Sequence, residues 1–563
     1  MTDVKRQVLD KRNLPVLVIC GLILIMAGIG IINERNRSRT PSTEKVFVTD
    51  VYSSPDGKAS VISNGILSPT YALWRNGTAY LPVDIVINEL NDRFYWDSTE
   101  QVLSYATPTE IIHARGDMRY ADELIFIIED DTTWVNLSYV AAYTNIQVNT
   151  FTNPERVFIR SYWGETTTAE AAKGGAAIRT KENVKSPVIV TRKEGEQITV
   201  LRNDDDWAFV FSHDGISGYT RMSELKNIET VDDDGPLDPP VYTNKVMPEP
   251  VCLVWHAVYR ESGVGAIEGL LNNTQGINVV APAWFTVADI NGNLDSFANE
   301  DYVSIVHSRG IQIWGMVENI NTDRNVDMKM LLSRTSSREK LVNNIINLSL
   351  HYGLDGVNVD FEGLGSKAGK GYVQFLRELS ARCRTAGLYL SIDNYVPSQW
   401  TEFYNRKEQG IIADYVIVMG YDEHYTGTDP GSTASLPFVR RGIEDTLKDV
   451  PAEKLINAVP FYTRLWTTSN GNVTSSILTM QDAAQFLINH NLSTVWREDE
   501  AQNYAEMVEN GVEYQVWMED AASLKARLEL MKNEGIKGIA AWRLGRETPD
   551  VWPLIAEYNA QNR

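Results

Sequence analysis

The chain has little of what metal and disulfide chemistry require. Seven histidines and three cysteines are spread over 563 residues, and Cys20, Cys252 and Cys383 stand at no metal-ligand or disulfide-framework spacing. A zinc ribbon, a disulfide-stapled scaffold and a His/Cys metal centre are thereby excluded as organising principles, and no cofactor or metal is implied. Positive charge is also short, because 52 Lys and Arg face 74 Asp and Glu for a formal net charge of −22. So acidic a chain gains nothing from counterion release on a phosphate backbone, and nucleic acid is not an expected partner. Long apolar runs are missing beyond the amino terminus. What is present is ordinary for globular chains: 43% hydrophobic and 22% charged residues argue against wholesale disorder. At roughly 100–200 residues per domain, the length accommodates three or four domains. Fourteen Trp and 25 Tyr supply core and also flat platforms of the kind sugar rings stack on.

The amino terminus carries the first strong signal. Leu14 to Ile32 is a run of 19 residues without a charge, preceded by Lys5, Arg6, Lys11 and Arg12. At 1.5 Å per residue it reaches roughly 28 Å, enough for a bilayer core. Asn33-Glu34-Arg35-Asn36-Arg37 offers no small-residue cleavage pattern. We therefore read residues 14–32 as an uncleaved signal anchor after a cytoplasmic tail, 1–13, rather than as a removed signal peptide. With no second span, the expectation is a single-pass protein of the cell membrane, with its bulk outside the cytoplasm.

Residues 33–45 read as a polar stalk, and 46–162 as an α+β domain with an approximate internal repeat. Tyr80 to Val86 leads into Phe94 to Asp97 and Val102 to Tyr105; Trp134 to Val140 leads into Ile146 to Val148 and Val157 to Ile159. Each copy reads as a strand, a short helix and a two-strand return. The pattern resembles the small duplicated domain named after the amino-terminal region of copper amine oxidases, common on bacterial surface proteins. The segment's only histidine is His113, so no copper-ligand set accompanies the likeness. In residues 176–228, short alternating strands are separated by Gly and Asp turns, and this segment resembles a bacterial SH3-like barrel. Residues 229–249, with Asp232-Asp233-Asp234-Gly235-Pro236 and Pro239-Pro240, form an acidic, proline-rich linker.

From 250 to 563 apolar strands alternate with amphipathic helices. Strands are expected at Val251–Trp255, Ile277–Ala281, Gln312–Met316, Gly356–Phe361, Tyr389–Ile392, Tyr415–Gly420, Ile456–Pro460 and Gly538–Trp542. Helices are expected at Ser337–His351, Gly371–Ala386 and Ala522–Asn533, and a small insertion at Trp466–Gln515. Eight βα units in about 300 residues is the arithmetic of an α/β (β/α)8 TIM barrel.

Strand four decides the chemistry. It reads Asp355-Gly356-Val357-Asn358-Val359-Asp360-Phe361-Glu362. Alternation puts Asn358, Asp360 and Glu362 on one face and Val357, Val359 and Phe361 on the other. The polar face must point into the barrel, with Glu362 at the carboxyl end where barrel active sites sit. Three polar side chains inside a barrel are costly unless they bond one another and serve a reaction.

These residues resemble glycoside hydrolase family 18, whose strand-four signature is Asp-Gly-x-Asp-x-Asp-x-Glu. Strand six adds Met419-Gly420-Tyr421-Asp422, strand seven Pro460 to Trp466 with Tyr462 and Arg464, and strand eight Gly538 to Gly545 with Trp542. The branch looks like that of bacterial cell-wall and spore-cortex hydrolases. The likeness implies a chitinase or N-acetylglucosaminidase type of glycosidase, its catalytic domain extracytoplasmic on a bacterial surface. Its partner would be a GlcNAc-containing polysaccharide, peptidoglycan or a chitin-type oligomer, cut by substrate-assisted retaining hydrolysis. Glu362 would be the general acid, Asp360 would hold the substrate's acetamido N–H, and Tyr421 would bond its carbonyl oxygen. Asn358, Asp422, Trp542, Tyr462, Arg464, Met419 and Trp284 are expected to bind or shape the sugar site, with Trp542 as its floor.

One position departs from the family pattern. Asn358 stands where Asp is usual, and an amide can bond Asp360 but cannot accept its proton. Activity is expected to survive with a changed pH profile. Glu318 and Asn319 after strand three are further candidates for substrate contact. His424 reads as a loop hydrogen-bonder, and the Gly363–Gly371 run, lacking phosphate-loop spacing, as a mobile loop over the cleft. Two other functions stay open beside the hydrolase: a carbohydrate-binding protein without catalysis, and a surface scaffold. Retention of Glu362, Asp360 and Tyr421 argues against the first of these.

Overall fold

The computed structural model describes residues 40–259, 261–320 and 325–562. The expected cytoplasmic tail, the membrane segment 14–32 and the start of the stalk lie outside the described residues. Among the described residues no helix is long and apolar enough to cross a membrane. The chain divides into two compact units, one of residues 40–92 and 116–239, the other of 93–115 and 240–562.

The second unit is built on eight parallel strands: β1 Cys252–His256, β2 Val279–Val287, β3 Gln312–Glu318, β4 Gly356–Asp360, β5 Tyr389–Tyr395, β6 Tyr415–Met419, β7 Leu455–Pro460 and β8 Gly538–Trp542. Each pairs with its sequence neighbours, and β8 pairs with β1, so the sheet closes and has no free edge. Helices alternate with them: α1 Ile267–Leu271, α2 Glu300–His307, α3 Thr335–His351, α4 Gly369–Ala386, α5 Arg406–Ile412, α6 Leu436–Leu447, α7 Ala521–Asn533 and α8 Val551–Gln561.

Two apolar layers follow from strand alternation. Leu253, Trp255, Ala281, Trp314, Met316, Ile417, Ala458 and Ala540 fill the inside of the barrel. Val357, Val359 and Phe361 of the β4 segment join Leu376, Leu379 and Ile392 in the larger shell between strands and helices. Helix α4 shows how local sequence sets an element. Tyr372, Phe375, Leu376, Leu379 and Cys383 recur at helical spacing and are buried, and Gly387, at φ 73°, ends the helix in the left-handed conformation glycine tolerates. The helix starts at Gly369, two residues before the expected Gly371, which lies in its first turn. A Cβ there would come within 2.6 Å of the Leu332 carbonyl oxygen.

Between β7 and α7 an antiparallel sheet is inserted, with strands in the order Asn472–Thr479, Tyr462–Ser469, Val512–Trp517, Gln502–Glu509 and Val495–Arg497, beside helix Met480–Asn489. It starts four residues earlier than Trp466, because Tyr462 already pairs with Thr479. Residues 93–115, which the sequence reading put in a 46–162 domain, belong to the barrel's unit. Their strands Tyr95–Asp97, Val102–Ala106 and Ile111–Ala114 form an antiparallel meander. Asp97 Oδ2 accepts from the Thr335 backbone N at 2.6 Å, a carboxylate at the start of α3 where the helix dipole favours it.

The first unit holds two seven-stranded sheets. One runs Gln147–Phe151, Arg156–Arg160, Lys58–Ser63, Ile66–Arg75, Thr78–Pro82, Thr132–Asn136 and Phe126–Glu129, with only the Lys58–Ser63 and Arg156–Arg160 pair parallel. The other is antiparallel, in the order Val188–Arg192, Ala176–Arg179, Ser217–Arg221, Trp207–Ser212, Gln197–Asn203, Gly164–Ala171 and Leu225–Asp233. It recruits Gly164–Ala171 from before the expected 176–228 boundary, and its last strand takes up the beginning of the expected linker.

The barrel's helical shell contains a buried ion pair. Arg338 and Glu378 are both almost wholly buried, with Nη2 to Oε1 at 3.2 Å, and Gln374 Nε2 donates to the same oxygen at 2.9 Å. Removing one partner strands the other charge. Glu378→Ala is expected to destabilise the barrel by about 3–5 kcal/mol, read from urea unfolding followed by tryptophan fluorescence. A change below about 1 kcal/mol would mean that this pair carries no burial penalty.

Candidate active site

The carboxyl end of β4 brings a set of acids together. Asn358, Asp360, Asp393 and Glu318 are respectively 0, 7, 2 and 7% exposed, while Glu362 is half-buried one residue beyond the outward-facing Phe361. A cavity of about 140 Å³ is lined by Asp360, Glu362, Asp393, Tyr395, Tyr421 and Trp542, together with Trp255, Met419 and Asp422. Trp542 meets Trp255 edge-on, ring centroids 5.9 Å apart, and forms one wall. Among the described residues none of Asp360, Glu362, Asp393 and Glu318 has an ion pair with Lys or Arg.

The electrostatics follow from that. Burial pushes the Glu362 carboxyl above its ordinary range, a hydrogen bond from Tyr395 pulls it part of the way back, and Asp422 adds repulsion. Burial pushes Asp360 up further, with Glu362, Asp393 and Glu318 all adding repulsion. Glu318 is raised to about 7, again chiefly by burial. Asp393 is raised by burial, against a hydrogen bond from Asn358. Tyr421 is also pushed up by burial and by the surrounding carboxyls, so its hydroxyl keeps its proton at neutral pH and stays a donor.

Neighbouring strands hold these groups in place. Asn319, at the end of β3, clamps the main chain of Glu362, donating to its carbonyl at 2.8 Å and accepting from its N–H at 2.7 Å. These two bonds brace the Glu362 main chain. Glu318 Oε1 accepts from Thr286 at 3.2 Å. Asp422, at φ 59°, accepts from the Tyr462 hydroxyl at 2.6 Å, and Arg464 Nη2 lies 3.6 Å from the same oxygen. Tyr462 and Arg464 thus reach the site through Asp422 and do not line the cavity themselves. His424 Nδ1 bonds the Asp429 carbonyl at 2.9 Å within its loop.

Two expectations are corrected. Trp284 does not shape the cleft: it is fully buried on the outside of the barrel, edge-on to Tyr302 at 4.8 Å. Trp284 shares the outward face of Val280, and a bulge where the β2–β3 register shifts between Ala283 and Phe285 turns Phe285 outward beside it. Asn358, expected among the groups that bind or shape the sugar site, is fully buried, does not line the cavity and does not bond Asp360. Its Oδ1 accepts from Trp255 Nε1 at 2.9 Å, and its Nδ2 donates to Ser391 Oγ at 2.9 Å and Asp393 Oδ1 at 2.8 Å.

Trp255, Asp393 and Tyr395 were not anticipated. For the latter two a signal exists in Ser391-Ile392-Asp393-Asn394-Tyr395. Its alternate residues Ser391, Asp393 and Tyr395 share one face, as on strand four, but the expected strand stopped at Ile392.

Known proteins share this barrel. YdhD of Bacillus subtilis, whose name is that of a sporulation-specific glycosylase, is 30% identical over 234 residues, 40% of this chain and 55% of that protein. The cortical fragment-lytic enzyme of Bacillus subtilis is 27% identical over 285 residues, 48% of this chain and 65% of that enzyme. The chain therefore spans about 55–65% of the length of these curated relatives. The crystal structure of the Bacillus cereus spore cortex-lytic enzyme SleL superposes with a TM-score of 0.50 at 23% identity, over 58% of this chain and 78% of that one, a likeness of fold. The family model of glycosyl hydrolases family 18 matches residues 259–547, slightly over half of the 563-residue chain and all but the first barrel strand. With that stretch carrying Asp360 and Glu362 into the cavity walled by Trp542, the chain belongs to glycosyl hydrolases family 18.

Proposed function

We propose that the protein cleaves β-1,4 linkages of GlcNAc-containing polymers, with cell-wall peptidoglycan ahead of chitin-type oligomers, by substrate-assisted retaining hydrolysis. The observation that carries this reading is the placement of Asp360, Glu362 and Tyr421 around one small cavity walled by Trp542. Relatives named for cortical fragments support the choice of a wall polymer.

In this reading Glu362 gives its proton to the glycosidic oxygen as the bond to C1 breaks. Burial keeps the carboxyl protonated closer to neutral pH than in water, as a general acid requires. The carbonyl oxygen of the substrate's 2-acetamido group closes on C1, and the developing positive charge is met by Asp360 at the acetamido N–H. Tyr421 donates to the acetamido oxygen, and Trp542 stacks under the sugar. Water then adds to C1 and returns a proton to Glu362, which restores both the acetamido group and the acid. A sugar without the 2-acetamido group lacks the internal nucleophile and is not a substrate.

Residues 14–32 would anchor the enzyme in the membrane with its catalytic unit outside. The two sheets of the first unit, residues 40–92 and 116–239, would serve as wall-contacting accessory modules, the first like the amine-oxidase amino-terminal domain and the second SH3-like.

The test compares the 38–563 protein with Glu362→Gln on purified peptidoglycan and on chitooligosaccharides, with product masses recorded. Turnover is expected to fall by about 10²–10⁴ in the variant, with substrate binding retained. Equal release of reducing ends by both proteins would overturn the reading, as would binding without cleavage by both. Because the acid must be protonated, kcat/KM is expected to fall as pH rises through the raised Glu362 pKa. Tyr395→Phe removes the hydrogen bond that lowers this pKa, so the basic limb should move to higher pH, and a limb that stays put or moves down would contradict the assignment. Deleting residues 1–37 should shift the protein from the membrane fraction to the soluble fraction; unchanged fractionation would dispose of the anchor.

A further inference from the structure

Asn358 uses both amide protons and one acceptor site of its oxygen, none of them on Asp360. Both amide protons go to strand β5, to Ser391 and Asp393, and its oxygen accepts from Trp255. The amide therefore fixes Asp393 in the barrel, holding its Oδ1. The other oxygen of Asp393, Oδ2, is buried without a hydrogen-bond partner among the described residues, and so is Asp360 Oδ1. Both side chains line the same small cavity. Two carboxyls buried together, each with an unmatched oxygen, repel if both ionise and satisfy both oxygens if one proton lies between them.

We propose that Asp393 is the proton partner of Asp360: the two carboxyls hold one proton between Asp360 Oδ1 and Asp393 Oδ2, so that strand five supplies the second aspartate that strand four lacks at Asn358. This rests on the substrate-assisted reading above and makes Asp393 a positioning residue. In the empty site the proton sits on Asp360. When the substrate's acetamido N–H meets Asp360, the proton passes to Asp393 and leaves a carboxylate beneath the forming oxazolinium. When water opens that ring the proton returns, and the pair ends the cycle as it began. Other groups also face the pair. Glu362 adjoins both aspartates, Glu318 of β3 faces Asp360, and Tyr421 follows β6. Tyr372 of α4 and Tyr404 before α5 stand behind, with Arg406 beyond them, while Tyr395 of β5 and Asp422 act on Glu362.

The test uses Asp393→Asn, Asn358→Asp and the exchange variant Asn358→Asp/Asp393→Asn in the 38–563 protein, with thermal unfolding as the folding control. Asp393→Asn is expected to lower kcat about 10²-fold and change the pH profile, with KM within about twofold. The exchange variant, which returns the aspartate to strand four, should recover at least about tenfold of that loss. An unchanged kcat and pH profile in folded Asp393→Asn would overturn the proposal, as would an exchange variant no better than the single variant.

A second readout needs no turnover. In the Glu362→Gln background, infrared spectra near neutral pH should lose one protonated-carboxyl band when Asp393→Asn is added, because the new amide offers Asp360 a donor that favours its ionised form. An unchanged band would refute the shared proton. If the band is lost yet the wild-type protein cuts neither polymer, the hydrolase reading fails while the shared proton stands.

Discussion

Everything at the active site depends on keeping several carboxyls dry without giving them a cation. The same barrel shows the alternative. Glu378 is met by Arg338, Glu408 by Arg377 at 2.8 Å, and Glu519 by Arg527, all buried and all in the helical shell. At the mouth, Asp360, Asp393 and Glu318 are just as buried and have no such partner among the described residues. Fixed charge of opposite sign would hold these groups ionised. Its absence leaves burial as the leading influence on each, and burial favours the protonated acid. A folded chain bears that penalty only if the surrounding scaffold is stable enough, and the apolar shell between strands and helices is the largest core in the molecule.

Closure of the sheet turns this penalty into geometry. A strand in an open sheet could twist to carry its polar face toward water, but β4 is bonded on both sides, to β3 and β5. Asn358 and Asp360 therefore stay inside, and what they can meet is set by the strands opposite and adjacent. Ser391 and Asp393 from β5 take both amide protons of Asn358, and Trp255 from β1 donates to its oxygen. Asn319 from β3 grips the Glu362 main chain from the other side. Glu362 thus belongs to a segment restrained by both neighbours, with only its side chain free to reach the cavity.

Legibility in the sequence follows the range of the forces involved. The eight strands and the polar face of strand four could be read because alternation is local: Val357, Val359 and Phe361 must go one way and Asn358, Asp360 and Glu362 the other. That Glu362, Asp360, Tyr421 and Trp542 come to one cavity was legible through resemblance, since their spacing within short motifs survives divergence. The misreadings are non-local. Trp284 was placed at the cleft because strand two was expected to stop at Ala281, but the strand runs on to Val287 and packs Trp284 against Tyr302 of α2. Residues 93–115 looked like half of a repeat, yet Asp97 tucks against the start of α3 and Tyr95 donates to the Ser333 carbonyl, more than 230 residues away. The partner of Asn358 was misassigned because i and i+2 on one strand share a face, while the side chain across the β4–β5 gap competes better.

That last competition bears on how the family's chemistry tolerates Asn358. An aspartate there would face Asp393 across the same gap, adding another acid to a site whose neighbours already repel one another. The amide avoids this by donating to Asp393 where a carboxylate could only repel it. The exchange of Asp for Asn on strand four is therefore matched by an acid on strand five, and the two positions form one unit: the amide orders the acid, and the acid faces the cavity. Asp422 shows the same division of labour on the opposite rim, where Tyr462 and Arg464 orient it while it alone lines the cavity. In both places the side chain at the substrate surface is held by a neighbour that stays off it, which is how a small cavity keeps catalytic geometry when most of its lining is acidic.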